Sequence, residues 1–109
     1  MKYNIIKNEK DALNLTNGTS YKDSLVGWTF NQLVKTFGKP TFDTPSGDGK
    51  VNFEWVFQRT SDGAVFTLYD WKSGSREFAE FENKRWNVGG KTYAGEFVTD
   101  LIEQIKKKH

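Results

Sequence analysis

An α+β fold, a small antiparallel sheet with two helices packed on one face, follows from three features of the sequence. Val51-Asn52-Phe53-Glu54-Trp55-Val56-Phe57-Gln58 places apolar groups at every second position, the pattern of a strand with one buried face. Ala64 to Trp71 is a second such run, and Asp62-Gly63 between the two suits a tight hairpin turn. Two further stretches carry apolar residues at helical spacing, Phe30, Leu33, Val34 and Phe37, then Ala94, Phe97, Val98, Leu101, Ile102 and Ile105. A hairpin with one apolar face and helices with one apolar stripe are most simply joined as two packed layers.

A length of 109 residues fits one domain over 1–109 with one modest core, and residues 1–17 are expected to be loosely attached to it. Aromatics make up 16% of the chain and the mean hydropathy is −0.72, so the core must be built largely from rings. A formal charge of +2 is too small for a dedicated DNA binder and has the wrong sign for a DNA mimic. The lack of Cys excludes disulfides and thiolate chemistry. The one His is His109, at the fraying end, which argues against a His triad or a His metal cluster. Met1 to Lys10 lacks the apolar core of a signal peptide, and no apolar run approaches membrane-spanning length.

Along the chain, Tyr3, Ile5 and Ile6 suit a short strand, and Asn8 to Asn17 reads as polar and irregular. Gly18 to Trp28 reads either as an edge strand with a turn or as a rim of hydroxyls and lysine, Thr19, Ser20, Tyr21 and Lys22, beside a ligand. Thr29 is an N-cap for a helix over 30–37, Gly38 ends it and Pro40 blocks continuation. Thr41 to Lys50 is a loop. A two-residue turn at Asp62-Gly63 sets Phe57 opposite Leu68 and Arg59 opposite Phe66. Residues 53, 55, 57, 66 and 68 then share one face; Asn52, Glu54, Val56, Gln58, Val65, Thr67, Tyr69 and Trp71 share the other. Glu77 to Asn83 fits helix or strand, Lys84 to Val88 a third strand, and Gly89-Gly90 a break before the last helix. Lys106 to Lys108 sit where a helix dipole favours cations.

The hairpin's second face is too polar for a core and too aromatic for a plain solvent face. Tyr69 and Trp71, two positions apart on a strand, suit a platform for a flat group, and stacking a base on an aromatic is worth roughly 1–3 kcal/mol. Lys72 and Arg76 follow these rings, Lys84 and Arg85 precede Trp86, and Gly89-Gly90 before a helix offers open backbone N–H groups to an anion. Together they describe a nucleotide pocket; the alternative is that Trp71 and Trp86 plug a second small core or a dimer contact. No nucleophile elbow, Walker loop or metal-binding histidine pair is present, so neither catalysis nor a cofactor is expected.

The ordered set Gly18-Thr19-Ser20, Leu33 to Pro40, Glu54-Trp55, Asp62-Gly63, Tyr69-Asp70-Trp71-Lys72 and Trp86-Asn87-Val88-Gly89-Gly90 resembles a group of small tailed-phage accessory proteins. Their usual form reads G-T-S, L-x-x-x-F-G-x-P, E-W, D-G, Y-x-W-K and W-x-I-G-G, and the match spans about residues 18–105. The group is similar to the anti-CBASS type-four sponges, which sequester cyclic dinucleotides such as 3′3′-cGAMP. The resemblance implies a non-catalytic anti-defence protein acting in the cytoplasm of an infected bacterium, with no membrane or DNA partner and with a homo-oligomer left open. It places ligand contacts at Thr19, Ser20, Tyr69, Trp71, Lys72, Trp86, Gly89 and Gly90. Asn87 stands where the group often has His, and 74–83 is unlike its longer acidic loop. The alternative function is a protein-binding inhibitor of a host defence nuclease or CRISPR complex.

Overall fold

The computed structural model describes residues 2–109, so Met1 of the N-terminal segment lies outside the described residues. The elements are β1 (Tyr3–Ile5), α1 (Glu9–Thr16), β2 (Ser20–Val26), α2 (Phe30–Phe37), β3 (Glu54–Arg59), β4 (Val65–Tyr69), α3 (Arg76–Phe81), β5 (Arg85–Gly90) and α4 (Gly95–Lys108). The five strands form one antiparallel sheet in the order β1-β3-β4-β5-β2. The fold is α+β.

Trp55, Phe57, Phe66 and Leu68 are fully buried on the face that the alternation assigns to them, together with Phe53 just before β3. Leu33 and Phe37 of α2 and Phe97, Leu101 and Ile105 of α4 pack with them, joined by Trp86 and Val88 of β5. Each apolar side chain of this size contributes about 1.5–3 kcal/mol on burial, and the rings interlock: Phe66 and Phe97 stack at 4.6 Å, and Trp55 meets Trp86 edge-on at 5.8 Å. α2 starts on a full capping box, in which Thr29 Oγ1 accepts from Gln32 N and Gln32 Oε1 accepts from Thr29 N. Gly38 closes it at φ +82°, and its carbonyl accepts from Trp55 Nε1 at 3.0 Å.

The hairpin is offset from its expected register. Phe57 lies opposite Phe66, and Trp55 opposite Leu68. Asp62 does not serve a two-residue turn: its carboxylate accepts from Ala64 N and pairs with Arg59, and Arg59 bonds Ala64 across a four-residue loop. An offset of two residues leaves every side chain on its face, so the assignment of faces survives.

Residues 8–17, expected to be irregular, contain α1. Asn8 caps it by accepting from Asp11 N, and Ala12 is buried against Val56 and Val65 with Ile6, Leu15 and Phe42 around them. Nor is this segment loosely held: β1 pairs with β3, and the buried Tyr3 donates its hydroxyl to Asp100 Oδ2 of α4 at 2.7 Å. α2 and α4 therefore cover one face as expected, and α1 adds a partial roof on the other. The undecided stretch 77–83 is mostly helix, α3, capped by Ser75. Among the described residues, no helix is long and apolar enough to cross a membrane.

Gly89 and Gly90 do not break the chain before a helix. They end β5, with Gly89 opposite Thr67 and Tyr21 and Gly90 opposite Phe66 and Ser20. A Cβ on Gly89 would lie 2.5 Å from Thr67 Oγ1 and 3.4 Å from the Tyr69 ring; one on Gly90 would lie 3.1 Å from the Phe66 ring. Close packing requires these glycines. Gly89→Val is accordingly expected to lower stability by about 1–3 kcal/mol, read as a lower midpoint in thermal or urea unfolding; an unchanged midpoint would mean that Thr67 yields freely.

Candidate functional site

α1 roofs the second sheet face only over β3 and the near side of β4. The rest of that face, over β4, β5 and β2, is open. Tyr69 lies opposite Asn87, and Tyr21 opposite Gly89. On β5 the buried Trp86 and Val88 alternate with Arg85 and Asn87, which places Arg85 and Asn87 on the open side. The result is a cleft of about 760 Å³ lined by Tyr21, Tyr69, Trp71, Lys72, Ser73, Asn83, Arg85 and Asn87.

Four of the ten residues singled out in the sequence line this cleft: Tyr21, Tyr69, Trp71 and Lys72. Gly89 lies on the same face beneath Tyr69. The other five are placed elsewhere. Trp86 is fully buried in the main core, on the helix-covered face, where its Nε1 donates to the Trp28 carbonyl at 2.9 Å; no ligand in the cleft reaches that ring. Gly90 faces the same core, against Phe66. The backbones of Gly89 and Gly90 belong to the strand ladder, and α4 starts only at Gly95, so they form no helix-end anion site. Thr19 donates its hydroxyl to the Thr16 carbonyl at 2.8 Å, and Ser20 and Lys22 are exposed outside the cleft lining on β2, Lys22 at a register shift. Arg76, expected beside the aromatics, instead pairs with Asp43 at 2.7 Å and covers the Phe53 ring.

Tyr69 and Trp71 do not form a flat platform. Their centroids are 6.3 Å apart and the rings stand at 82°, making a corner. Trp71 is 45% exposed, with the ammonium groups of Lys50 and Lys72 each 5.7 Å from its ring centroid. An exposed cation–π contact is worth about 0.5–1 kcal/mol, less than the roughly 1–3 kcal/mol of a stacked base. On these magnitudes a flat aromatic group would outcompete a lysine for the ring face. Burial raises the Tyr69 phenol above its ordinary pKa, aided by the charge of Glu54 and opposed by a hydrogen bond from Asn87, so it stays a neutral hydroxyl near pH 7.

The lining holds two cations, Lys72 and Arg85, and no carboxylate. Asn83 lies largely beneath the lining: its Oδ1 accepts from Arg85 N at 3.3 Å, while its buried Nδ2 has no partner among the described residues. Asn83 and Asn87 were not among the expected contacts. The phase of β5 carried the signal for Asn87, because Val88 is a core residue and two-residue alternation fixes its neighbours.

A buried carboxylate holds the cleft's edge. Asp70 Oδ1 accepts from the backbone N of Asn52 and of Phe53, both at 2.8 Å; Oδ2 accepts from Asn52 Nδ2 at 2.9 Å and Ser73 Oγ at 2.5 Å. These bonds clamp the turn carrying Trp71 and Lys72 to the segment leading into β3, and Lys72 takes a positive φ of 52° there. No family model, curated protein or solved structure matches the chain.

Proposed function

We propose that the protein binds a cyclic dinucleotide in this cleft without transforming it, and so acts as an anti-CBASS-like sponge for a host immune signal, in the cytoplasm of the infected cell. The observation that carries the reading is the lining itself: three aromatic rings, two cations and no carboxylate in one concave site. Its volume falls within the roughly 300–1,000 Å³ usual for small-molecule pockets. The rings suit bases, and Lys72 and Arg85 suit phosphates. Sequestration needs no chemistry: stoichiometric binding lowers the free signal by mass action.

Titration calorimetry with a panel of cyclic di- and trinucleotides tests this. A saturable one-to-one isotherm is expected for at least one dinucleotide, 3′3′-cGAMP being the first to try, with the ligand recovered chemically intact. Trp71→Ala is expected to weaken it by about 1–3 kcal/mol, up to roughly a hundredfold, and to cost the fold less than a core change such as Phe57→Ala, where about 3–5 kcal/mol is typical. Binding that is indifferent to Trp71 would place the ligand elsewhere. A second reading, a protein-binding inhibitor, draws on Phe78 and Phe81 of α3, exposed by 47% and 67%, as aromatic anchors. Failure of every nucleotide, with capture of a host nuclease lost on Phe81→Ala, would favour it.

A further inference from the structure

A second cavity on the same sheet face has the opposite chemistry. It lies between α1 and the loop before β3, holds about 300 Å³, and is lined by Leu13, Thr16, Phe42, Thr44, Pro45, Ser46, Val51 and Glu54. Leu13, Phe42, Pro45 and Val51 give it apolar walls. Glu54 is its one charged residue, with no hydrogen-bond or salt-bridge partner for its carboxylate among the described residues.

The hydroxyls around Glu54 have largely spent their protons. Thr16 Oγ1 donates to the Ala12 carbonyl at 2.9 Å, and Ser46 Oγ donates to Asp48 Oδ1 at 2.6 Å. A hydroxyl whose proton is committed offers only lone pairs. The cavity is thus rich in acceptors and poor in donors, whereas the aromatic cleft is rich in donors. A lone carboxylate is too few ligands for Ca²⁺, which takes about six to eight oxygens. It is enough for an ammonium group, whose three N–H donors take the carboxylate and neighbouring hydroxyl oxygens while an alkyl stem lies on the apolar wall.

We infer that this cavity is a binding site for a small aliphatic primary amine, with Glu54 as the counter-ion and Leu13, Phe42 and Val51 as the bed for its carbon chain. The inference is independent of the nucleotide reading, since the two sites share no lining residue. Glu54 is well placed to respond. Burial, and secondarily the charge of Asp70, push its carboxyl up to about 7. The other group facing it is the Tyr69 phenol across the ladder; among the described residues no other titratable one lines the cavity. An arriving ammonium stabilises the carboxylate, so binding releases a proton and tightens as the pH rises.

The test is an NMR titration of the whole chain with n-butylammonium chloride, with n-butanol as the neutral isostere and potassium chloride as the ionic-strength control. Saturable shifts are expected at the amides of Leu13, Phe42 and Glu54, with butanol at least tenfold weaker. Glu54→Gln, which keeps the shape of the protonated side chain, is expected to lose at least tenfold in affinity while its spectrum stays folded. In the unmodified protein the affinity should rise about tenfold from pH 6 to pH 8, following the ionised fraction of a group titrating near 7. That arm needs no variant. Equal binding of butanol and butylammonium, an affinity flat across that pH range, or shifts reproduced by potassium chloride would each overturn the inference.

Discussion

Asp70→Ala is expected to cost the fold about 3–5 kcal/mol, the scale of breaking a buried polar network. The side chain is fully buried and accepts four hydrogen bonds, two of them from backbone N–H groups. Removing it leaves the backbone amides of Asn52 and Phe53 unpaired where little water reaches, and the Asn52 side chain with only its long bond to the Gly74 carbonyl; each unmet donor costs about 1–3 kcal/mol. Ser73→Ala removes one donor and leaves the carboxylate three, so its cost should be about 1 kcal/mol. Asp70→Asn should fall between the two, because its amide would direct N–H groups at a donor. Urea unfolding of the three variants provides the ranking, and an Asp70→Ala loss below that of Ser73→Ala would show that the clamp does not hold the hairpin's open end. Because Lys72 and Trp71 hang from the same turn, Asp70→Asn should also weaken any ligand that Trp71 contacts.

Glu54 gives the second large effect, through pH. Its folded carboxyl titrates near 7 and its ordinary value is 4.5, so between those values the folded protein holds a proton that the unfolded chain has released. Stability therefore falls as the pH rises through that window and levels off above it, by about 3 kcal/mol in all. Glu54→Gln removes the ionisation. The variant should match the parent at pH 4.5 and exceed it by nearly the whole of that difference at pH 8. The exposed carboxylates Asp48 and Asp62 are held below their ordinary value by hydrogen bonds, from Ser46 and Arg59 respectively, so they titrate below this window. Parallel stability curves for parent and variant from pH 5 to pH 8 would refute the assignment.

The parts of the fold that could be read locally were those whose pattern repeats. Alternation gave both faces of the hairpin, and the stripe Phe30, Leu33, Val34, Phe37 with Thr29 and Gly38 gave α2 to the residue. α1 was illegible because it buries one residue, Ala12; its neighbours are mostly polar, and what holds it is the cover it provides for Val56 and Val65. Trp86 was misassigned because motifs of Trp beside cations suit either face, and the face was fixed by pairing with β4 and β2. The glycines misled for a related reason. Gly89 is demanded by Thr67 and Tyr69 on the neighbouring strand, a constraint absent from its own stretch of chain. Within the candidate site, Tyr69, Trp71 and Lys72 were legible from spacing; Asn83 was not, since its place depends on how α3 ends.

The strand order also sets a sequence of events. Among the described residues, β3 and β4 are the only neighbours in the sheet joined by a short loop, whereas β2 waits for β5, with Ser20 opposite Gly90. Closing so long a loop is slow, and sheets dominated by distant pairings fold in about milliseconds to seconds. The hairpin bearing Tyr69 can therefore form early, while Tyr21, carried on β2, arrives at the cleft only when that distant pairing closes. Completion of the cleft should lag behind formation of the β3–β4 hairpin during refolding.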